Sequence, residues 1–222
     1  TRSHTHQLRE TEARVSFGTR YVKSSVAEIY REDIARFRTL VGTDLDEDPM
    51  AVLDRGEVPK LKALRIHNGT IYRWNRACFG MTDGKPHLRI ENRVMPSGPS
   101  TIDEMASAAL WFGLMAEMGA RGDDVTRRVD FDQAGHNFYT AAREGLGSHF
   151  LWFDGEEVSA RNLMLDRLLP MAEAGLRRHA IDEGDIKRYL GVIDARVRTG
   201  RTGARWQFSS WMSLRDRATP GE

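Results

Sequence analysis

Two stretches restrict this chain more than any other part of it: Lys62-Ala-Leu-Arg-Ile-His-Asn-Gly-Thr-Ile-Tyr-Arg-Trp-Asn-Arg76 and Pro86-His-Leu-Arg-Ile-Glu-Asn-Arg-Val94. Apolar and polar residues alternate in both, which is the period of a half-buried strand. Asn68-Gly69 is the strongest short hairpin signal in the first stretch, because a type I′ turn needs positive φ at both central positions. A two-residue turn there sets His67 opposite Thr70, Ile66 opposite Ile71 and Arg65 opposite Tyr72. Leu64, Ile66 and Ile71 then share one face, and Arg65, His67, Tyr72, Trp74 and Arg76 share the other. The second stretch sorts in the same way. Leu88, Ile90 and Val94 point to a core, while Arg89, Glu91 and Arg93 point away from it. The pattern predicts an antiparallel sheet over about 62–95 with an unusual load of Arg, His and Glu on one face.

The rest of the chain reads mostly as helix. Val26, Ile29, Tyr30, Ile34, Phe37 and Val41 recur at helical spacing after a serine pair that can cap them, and Gly42 ends the run. Ser100-Thr-Ile-Asp103 and Thr101-x-x-Glu104 are capping-box patterns that open a helix through about Met118. Its stripe of Met105, Ala108, Ala109, Phe112, Met115 and Ala116 reads as core. Further helices are predicted over about Asp132–Leu146, Val158–Arg178, Glu183–Thr199 and Ala204–Leu214. Pro170 should kink or split the second of these. Phe150-Leu-Trp-Phe-Asp-Gly155 reads as an aromatic turn or short strand, and residues 1–21 as a polar terminus or a strand in need of a partner. A small antiparallel sheet followed by a helical half gives the class α+β, organised as a single domain over 1–222.

At 222 residues the chain can bury a real core. Its charged residues, 29% of the total, nearly cancel to a formal net charge of +1. That balance argues against nucleic acid as a partner, since such binders carry a basic excess on one face. Cys78 is the only cysteine, so no internal disulfide forms, in keeping with a reducing, cytoplasmic setting. The greasiest stretch, Met105 to Ala120, is too short to span a membrane and contains Glu117. The amino end has no apolar segment of the signal-peptide kind. The chain begins at Thr1 rather than Met, which reads as a fragment or a processed product.

A carboxylate held between guanidiniums on a rigid strand suits two tasks. Glu91 could ligate a hard cation such as Mg²⁺, which prefers oxygen. Arg93, Arg89 or Arg76 could clamp a phosphate or carboxylate with a planar fork. His67 could add a nitrogen ligand or move a proton, and Arg65, Tyr72 and Trp74 complete the face as candidate cofactor contacts. The plainer alternative is a solvated sheet face with cross-strand ion pairs, each worth only ~0.2–1 kcal/mol. Other motifs are weaker. Asp44-x-Asp46-x-Asp48 resembles the start of a calcium loop, but Pro49 stands where the loop needs glycine and Arg55 where it needs a bidentate Glu. Cys78 has no visible base and reads as a small buried hydrophobe. Gly200-Arg-Thr-Gly-Ala-Arg205 lacks the Lys-Ser/Thr ending of a phosphate-binding loop and reads as a linker.

Arg65 to Arg76, His87-Leu-Arg-Ile-Glu-Asn-Arg93 and the small-residue helix Ala106 to Leu114 together resemble the glutamate–cysteine ligase family, and within it the bacterial carboxylate–amine ligase branch. Ile90-Glu91-Asn92-Arg93 matches the family's Ile-Glu-x-Arg strand, Arg76 matches the arginine that ends its earlier strand pair, and Ala204-Arg-Trp-Gln207 resembles its carboxyl end. The similarity runs from about Ala13 to Trp211. It implies a glutamine-synthetase-like curved sheet that holds ATP, Mg²⁺ and substrate. It also implies a reaction in which ATP phosphorylates a γ-carboxylate and an amine displaces the phosphate, as in glutathione biosynthesis. By the same resemblance Glu91 would bind Mg²⁺, with His67 as a candidate further ligand. Arg93 and Arg76 would neutralise the transferred phosphoryl group and the substrate carboxylate. The substrates would be a glutamate-like acid and an amine such as cysteine, and a homo-oligomer is compatible with the family. Family members are roughly twice this length and draw their metal-binding carboxylates from an amino-terminal half. The chain therefore reads as the carboxyl-terminal half of the catalytic domain, with the missing half as its partner. The second reading is of a different class: a non-catalytic module that keeps the anion-binding face and works by binding a ligand or a partner chain.

Overall fold

The computed structural model describes residues 13–44 and 46–215 of the chain, which divides into two compact units, Thr1–Met95 and Pro96–Glu222. Helices and small two-stranded sheets make the class α+β, as the sequence predicts.

The first unit runs β1 (Val15–Ser16), α1 (Ala27–Arg36), α2 (Pro49–Asp54), α3 (Lys62–Gly69), β2 (Tyr72–Arg73), β3 (Asn75–Thr82) and β4 (Lys85–Asn92). Its largest departure from the sequence reading is α3. Residues 62–69 form a helix and not the first arm of a hairpin. Read with a period of 3.6 instead of 2, Leu64, His67, Asn68 and Ile71 fall on one face, and His67, Asn68 and Ile71 are buried. Asn68 and Gly69 keep negative φ. The positive φ values that a type I′ turn requires occur at Asp83 (50°) and Gly84 (74°). The hairpin is therefore β3–β4, with Thr82 opposite Lys85 and an unbroken antiparallel register back to Asn75 opposite Asn92.

Short polar segments start the other helices of this unit. The Asp48 carboxylate accepts from the Met50 and Ala51 amides, and Pro49 follows at the first helical position. The last aspartate of the calcium-like run is thus a helix cap. The interior is small and polar. Phe37, Ile71 and Ala77 are buried beside Arg14, Asp33, His67 and Arg73. Arg73 reaches the Asp33 carboxylate from Nε at 2.8 Å and Nη2 at 2.7 Å. Arg14 donates to the Arg38 carbonyl at 2.9 Å and to the Thr70 hydroxyl at 3.1 Å. β1 pairs parallel to β2 through Val15–Tyr72 and Ser16–Arg73, so part of the polar amino-terminal stretch is a strand with a partner.

The second unit runs α4 (Thr101–Arg121), α5 (Phe131–Glu144), β5 (His149–Leu151), β6 (Glu157–Ser159), α6 (Ala160–Leu163), a π-helical turn (Met164–Leu168), α7 (Leu169–Arg178), α8 (Glu183–Thr199) and α9 (Gly203–Leu214). Pro170 follows the π turn, which absorbs the missing N–H without ending the helical run. An apolar core of Ala106, Leu169, Ala172, Leu176, Ile186, Leu190, Ile193 and Val197 joins α4, α7 and α8. The expected core stripe of α4 is corrected by the structure. Met105, Phe112 and Met115 are exposed, and the inner face is built on Ala106 and Gly113. The reason is the close approach of α7: a Cβ on Gly113 would strike the Ala172 backbone, and one on Gly175 would strike the Gly113 carbonyl. Among the described residues no helix is long and apolar enough to cross a membrane.

Candidate functional site

The β3–β4 register sorts the chemistry-bearing side chains onto one face, because residues directly opposite in an antiparallel pair project together. Arg76 lies opposite Glu91, Cys78 opposite Arg89, and Gly80 opposite His87. Arg93 continues that face two residues beyond Glu91. Leu88 and Ile90 are on the other face as expected, but at 57% and 59% exposure they enter no core in this unit.

Arg76 ties three pieces of the unit together. Its Nη2 donates to Glu91 Oε2 at 2.5 Å, and its Nη1 donates to the carbonyls of Asn68 at 3.3 Å and Gly69 at 3.4 Å. Those carbonyls close α3, where the helix dipole favours a cation. Glu91 also faces Arg93 Nη1 at 3.4 Å and the Cys78 thiol at 3.7 Å. The Arg76 hydrogen bond, opposed in part by burial, holds the Glu91 carboxyl below the usual glutamate range, so it is ionised at neutral pH. Burial works against the charge of Arg76, but the Glu91 hydrogen bond and Cys78 outweigh it and raise its pKa. Arg93 lies over the Tyr72 ring at 5.2 Å, and its amide donates to the Trp74 carbonyl at 2.9 Å. Glu91, Arg76, Arg93, Tyr72 and Trp74 are therefore one connected group.

The structure separates the remaining candidates. His67 is buried on α3, and its Nε2–H donates to the Phe37 carbonyl at 2.7 Å. Its hydrogen bond goes to Phe37 and not to Glu91, because helix α3, not a strand, carries it. Arg65 sits on the exposed side of the same helix and, with Arg89, lines an open cleft of about 850 Å³. Lys62, Arg76 and His87 also line this cleft, and among the described residues no Asp or Glu does. Neither Arg65 nor Arg89 has a carboxylate partner among the described residues. Lys62, Gly80 and His87 are cleft residues that the sequence reading missed. The Asp83-Gly84 turn would have revealed two of them, since it sets Gly80 opposite His87.

A divalent cation needs several oxygen ligands. Glu91 is one carboxylate, already engaged by two arginines, and among the described residues no group of three or more His, Cys, Asp and Glu could hold a metal. The residues present do not by themselves make a Mg²⁺ site.

The second unit has its own arginine-lined cleft, of about 400 Å³, between Arg121, Arg128, Trp152, Phe153 and Arg167. Its cations are matched. Arg121 pairs with Glu117 and Arg128 with Asp154, both at 2.8 Å, and Arg167 pairs with Glu156 at 2.5 Å.

The model of Glutamate-cysteine ligase family 2 matches residues 29–217, across both units. No curated protein and no solved structure matches the chain significantly.

Proposed function

Because this chain belongs to glutamate–cysteine ligase family 2, a family of carboxylate–amine ligases, we propose that its first unit supplies the anion-binding wall of an ATP-dependent member. The observation that carries this reading is the first-unit cleft. It presents Lys62, Arg65 and Arg89 with no carboxylate among the described residues that line it. Guanidiniums with no carboxylate partner among the described residues, set on an open wall, attract carboxylate and phosphate oxygens.

In the proposed reaction a carboxylate oxygen of the acid substrate attacks the γ-phosphorus of ATP. The bond to the leaving ADP breaks, and an acyl phosphate forms. The amine nitrogen then attacks the acyl carbon, inorganic phosphate departs with the bonding pair, and the nitrogen loses a proton to give the amide. Negative oxygens accumulate in both steps, and fixed cations stabilise them without reorganising. Arg65 meets those oxygens from the α3 wall of the cleft and Arg89 from the wall made by β3 and β4. The Arg76–Glu91–Arg93 group fixes the strand pair and the end of α3, and so sets the distance between the two walls. In this reading residues 1–222 are the carboxyl-terminal half of a catalytic domain, and oxygen ligands for a divalent cation come from a further segment. The acid is glutamate-like and the amine is of the cysteine kind.

The test is Arg89→Ala in the full natural chain, assayed for ADP release that depends on both glutamate and an amine. Turnover should fall at least ~10²-fold, the cost of losing one electrostatic stabiliser, with little change in melting because Arg89 is exposed and has no ion-pair partner among the described residues. Unchanged turnover would refute the assignment. A specific observation favours a second reading, a non-catalytic anion-binding module: Arg76 and Glu91 satisfy each other, and the described residues hold no metal cluster. That reading expects anion binding by the full chain with no ADP release at all.

A further inference from the structure

Gly80 lies inside β3, in a register without a bulge, and is buried. A glycine in a strand interior weakens the strand and commonly marks a place where another group comes very close. Here the close groups are the side chains of the opposite strand. A Cβ built on Gly80 would lie 2.5 Å from His87 Cε1 and 2.8 Å from both His87 Nε2 and Arg89 Nη1. The imidazole is also tied to the Thr82 hydroxyl at 3.1 Å from Nε2. An imidazole and a guanidinium therefore crowd over one glycine in the lining of the first-unit cleft.

We propose that Gly80 is a positioning residue for anion binding: its missing side chain lets His87 and Arg89 lie down together and hold one oxygen anion between them and Arg65. This deepens the ligase reading, and rests on it for the identity of the anion as a phosphate-bearing substrate. The packing separates this role from a structural one. What a methyl group at Gly80 would meet is the far end of two flexible side chains, not backbone, so the strand accommodates it while the ring and the guanidinium must lift. A glycine kept for folding gives the opposite pattern, in which the backbone itself collides, as at Gly113 and Gly175.

The experiment uses the full natural chain and inorganic pyrophosphate as the probe. Wild type should bind it, measured calorimetrically, and the His87 Cε1–H and Arg89 Nε–H signals should shift on binding. Gly80→Ala should melt no lower than wild type, since alanine suits a strand interior better than glycine. It should bind pyrophosphate at least tenfold more weakly, with His87 and Arg89 signals already displaced before ligand is added. Gly80→Ala/His87→Ala, which removes the ring from the crowded site, should recover part of the lost affinity as Arg89 settles back. Wild-type affinity in Gly80→Ala, or equal weakening with unmoved His87 and Arg89 signals, would overturn the proposal. So would a wild-type chain that does not bind the probe. If binding follows this pattern while no ADP is released from ATP, the Gly80 assignment stands and the ligase reading falls.

Discussion

The two units of this chain each carry a cleft lined with arginines, and they differ in how those arginines are neutralised. In the second unit Arg121, Arg128 and Arg167 all have a carboxylate within 2.8 Å. In the first unit Arg76 and Arg93 share Glu91, whereas Arg65 and Arg89 face the open cleft without a counter-charge among the described residues. The interiors differ in the same sense. The second unit has an aliphatic core joining three helices, with glycines that let two of them touch, and its buried polar residues Glu117, Asn137, Thr140 and Ser148 are not among that core's members. The first is closed around Arg14, Asp33, His67 and Arg73, whose hydrogen bonds are directional. An apolar core gives stability without fixing any one polar geometry, while a polar interior fixes the strands and helix that carry the cleft.

The largest way to break this comparison is Arg73→Ala. It leaves Asp33, 2% exposed, without its counter-ion. Removing one partner of a buried pair costs ~3–5 kcal/mol. Amide exchange at Ile71 and Ala77 should accelerate to match, while Leu190 and Ile193 keep their protection; an unchanged rate at Ile71 would show that the polar interior contributes little. Next is Gly175→Ala in the second unit. The added methyl meets the Gly113 carbonyl, a backbone atom that cannot swing away. Overpacking of this kind costs ~1–3 kcal/mol. Here the loss of protection should appear at Leu190 and Ile193 and spare Ile71.

The smallest expected effect is on pH dependence, at the start of α1. The Ser24 amide and hydroxyl and the Ser25 amide all donate to the Glu28 carboxylate, at 2.8, 2.9 and 3.2 Å. These bonds lower its pKa from 4.5 to about 2. A depressed folded-state pKa contributes stability that is fully present above pH 4.5 and lost as pH falls toward 2. A carbon-detected titration of the Glu28 carboxyl should show a midpoint near 2, with fraying of α1 over the same range. A midpoint near 4.5 would mean that the serine contacts do not hold in solution.

Much of this was legible in the sequence. The boundaries of α8 coincide with the predicted ones, because Asp182 caps the helix and Gly200 ends it in a left-handed turn. The grouping of Arg76, Glu91 and Arg93 was legible from period-2 alternation alone. The misplaced part was α3. Lys62 to Gly69 is eight residues long, and over so short a run Leu64, Ile66 and His67 fit a strand or a helix about equally. Its entry through Leu61 at φ 48° has no signature in the sequence. A strand over 62–69 spends the turn signal on Asn68-Gly69 instead of Asp83-Gly84 and puts His67 on the wrong face. The division of α4 into a buried small-residue face and an exposed Met and Phe face also escaped the sequence. It depends on which helix packs against it and how closely.

The cleft whose arginines lack a counter-charge among the described residues should hold the anion, and the cleft whose arginines are paired should not. The most direct measurement follows the side-chain Nε–H signals of arginine in the full natural chain as ADP is added. Saturable shifts are expected at Arg65 and Arg89, with Arg128 and Arg167 unmoved. Shifts at Arg128 and Arg167 with Arg65 and Arg89 unmoved would contradict that expectation.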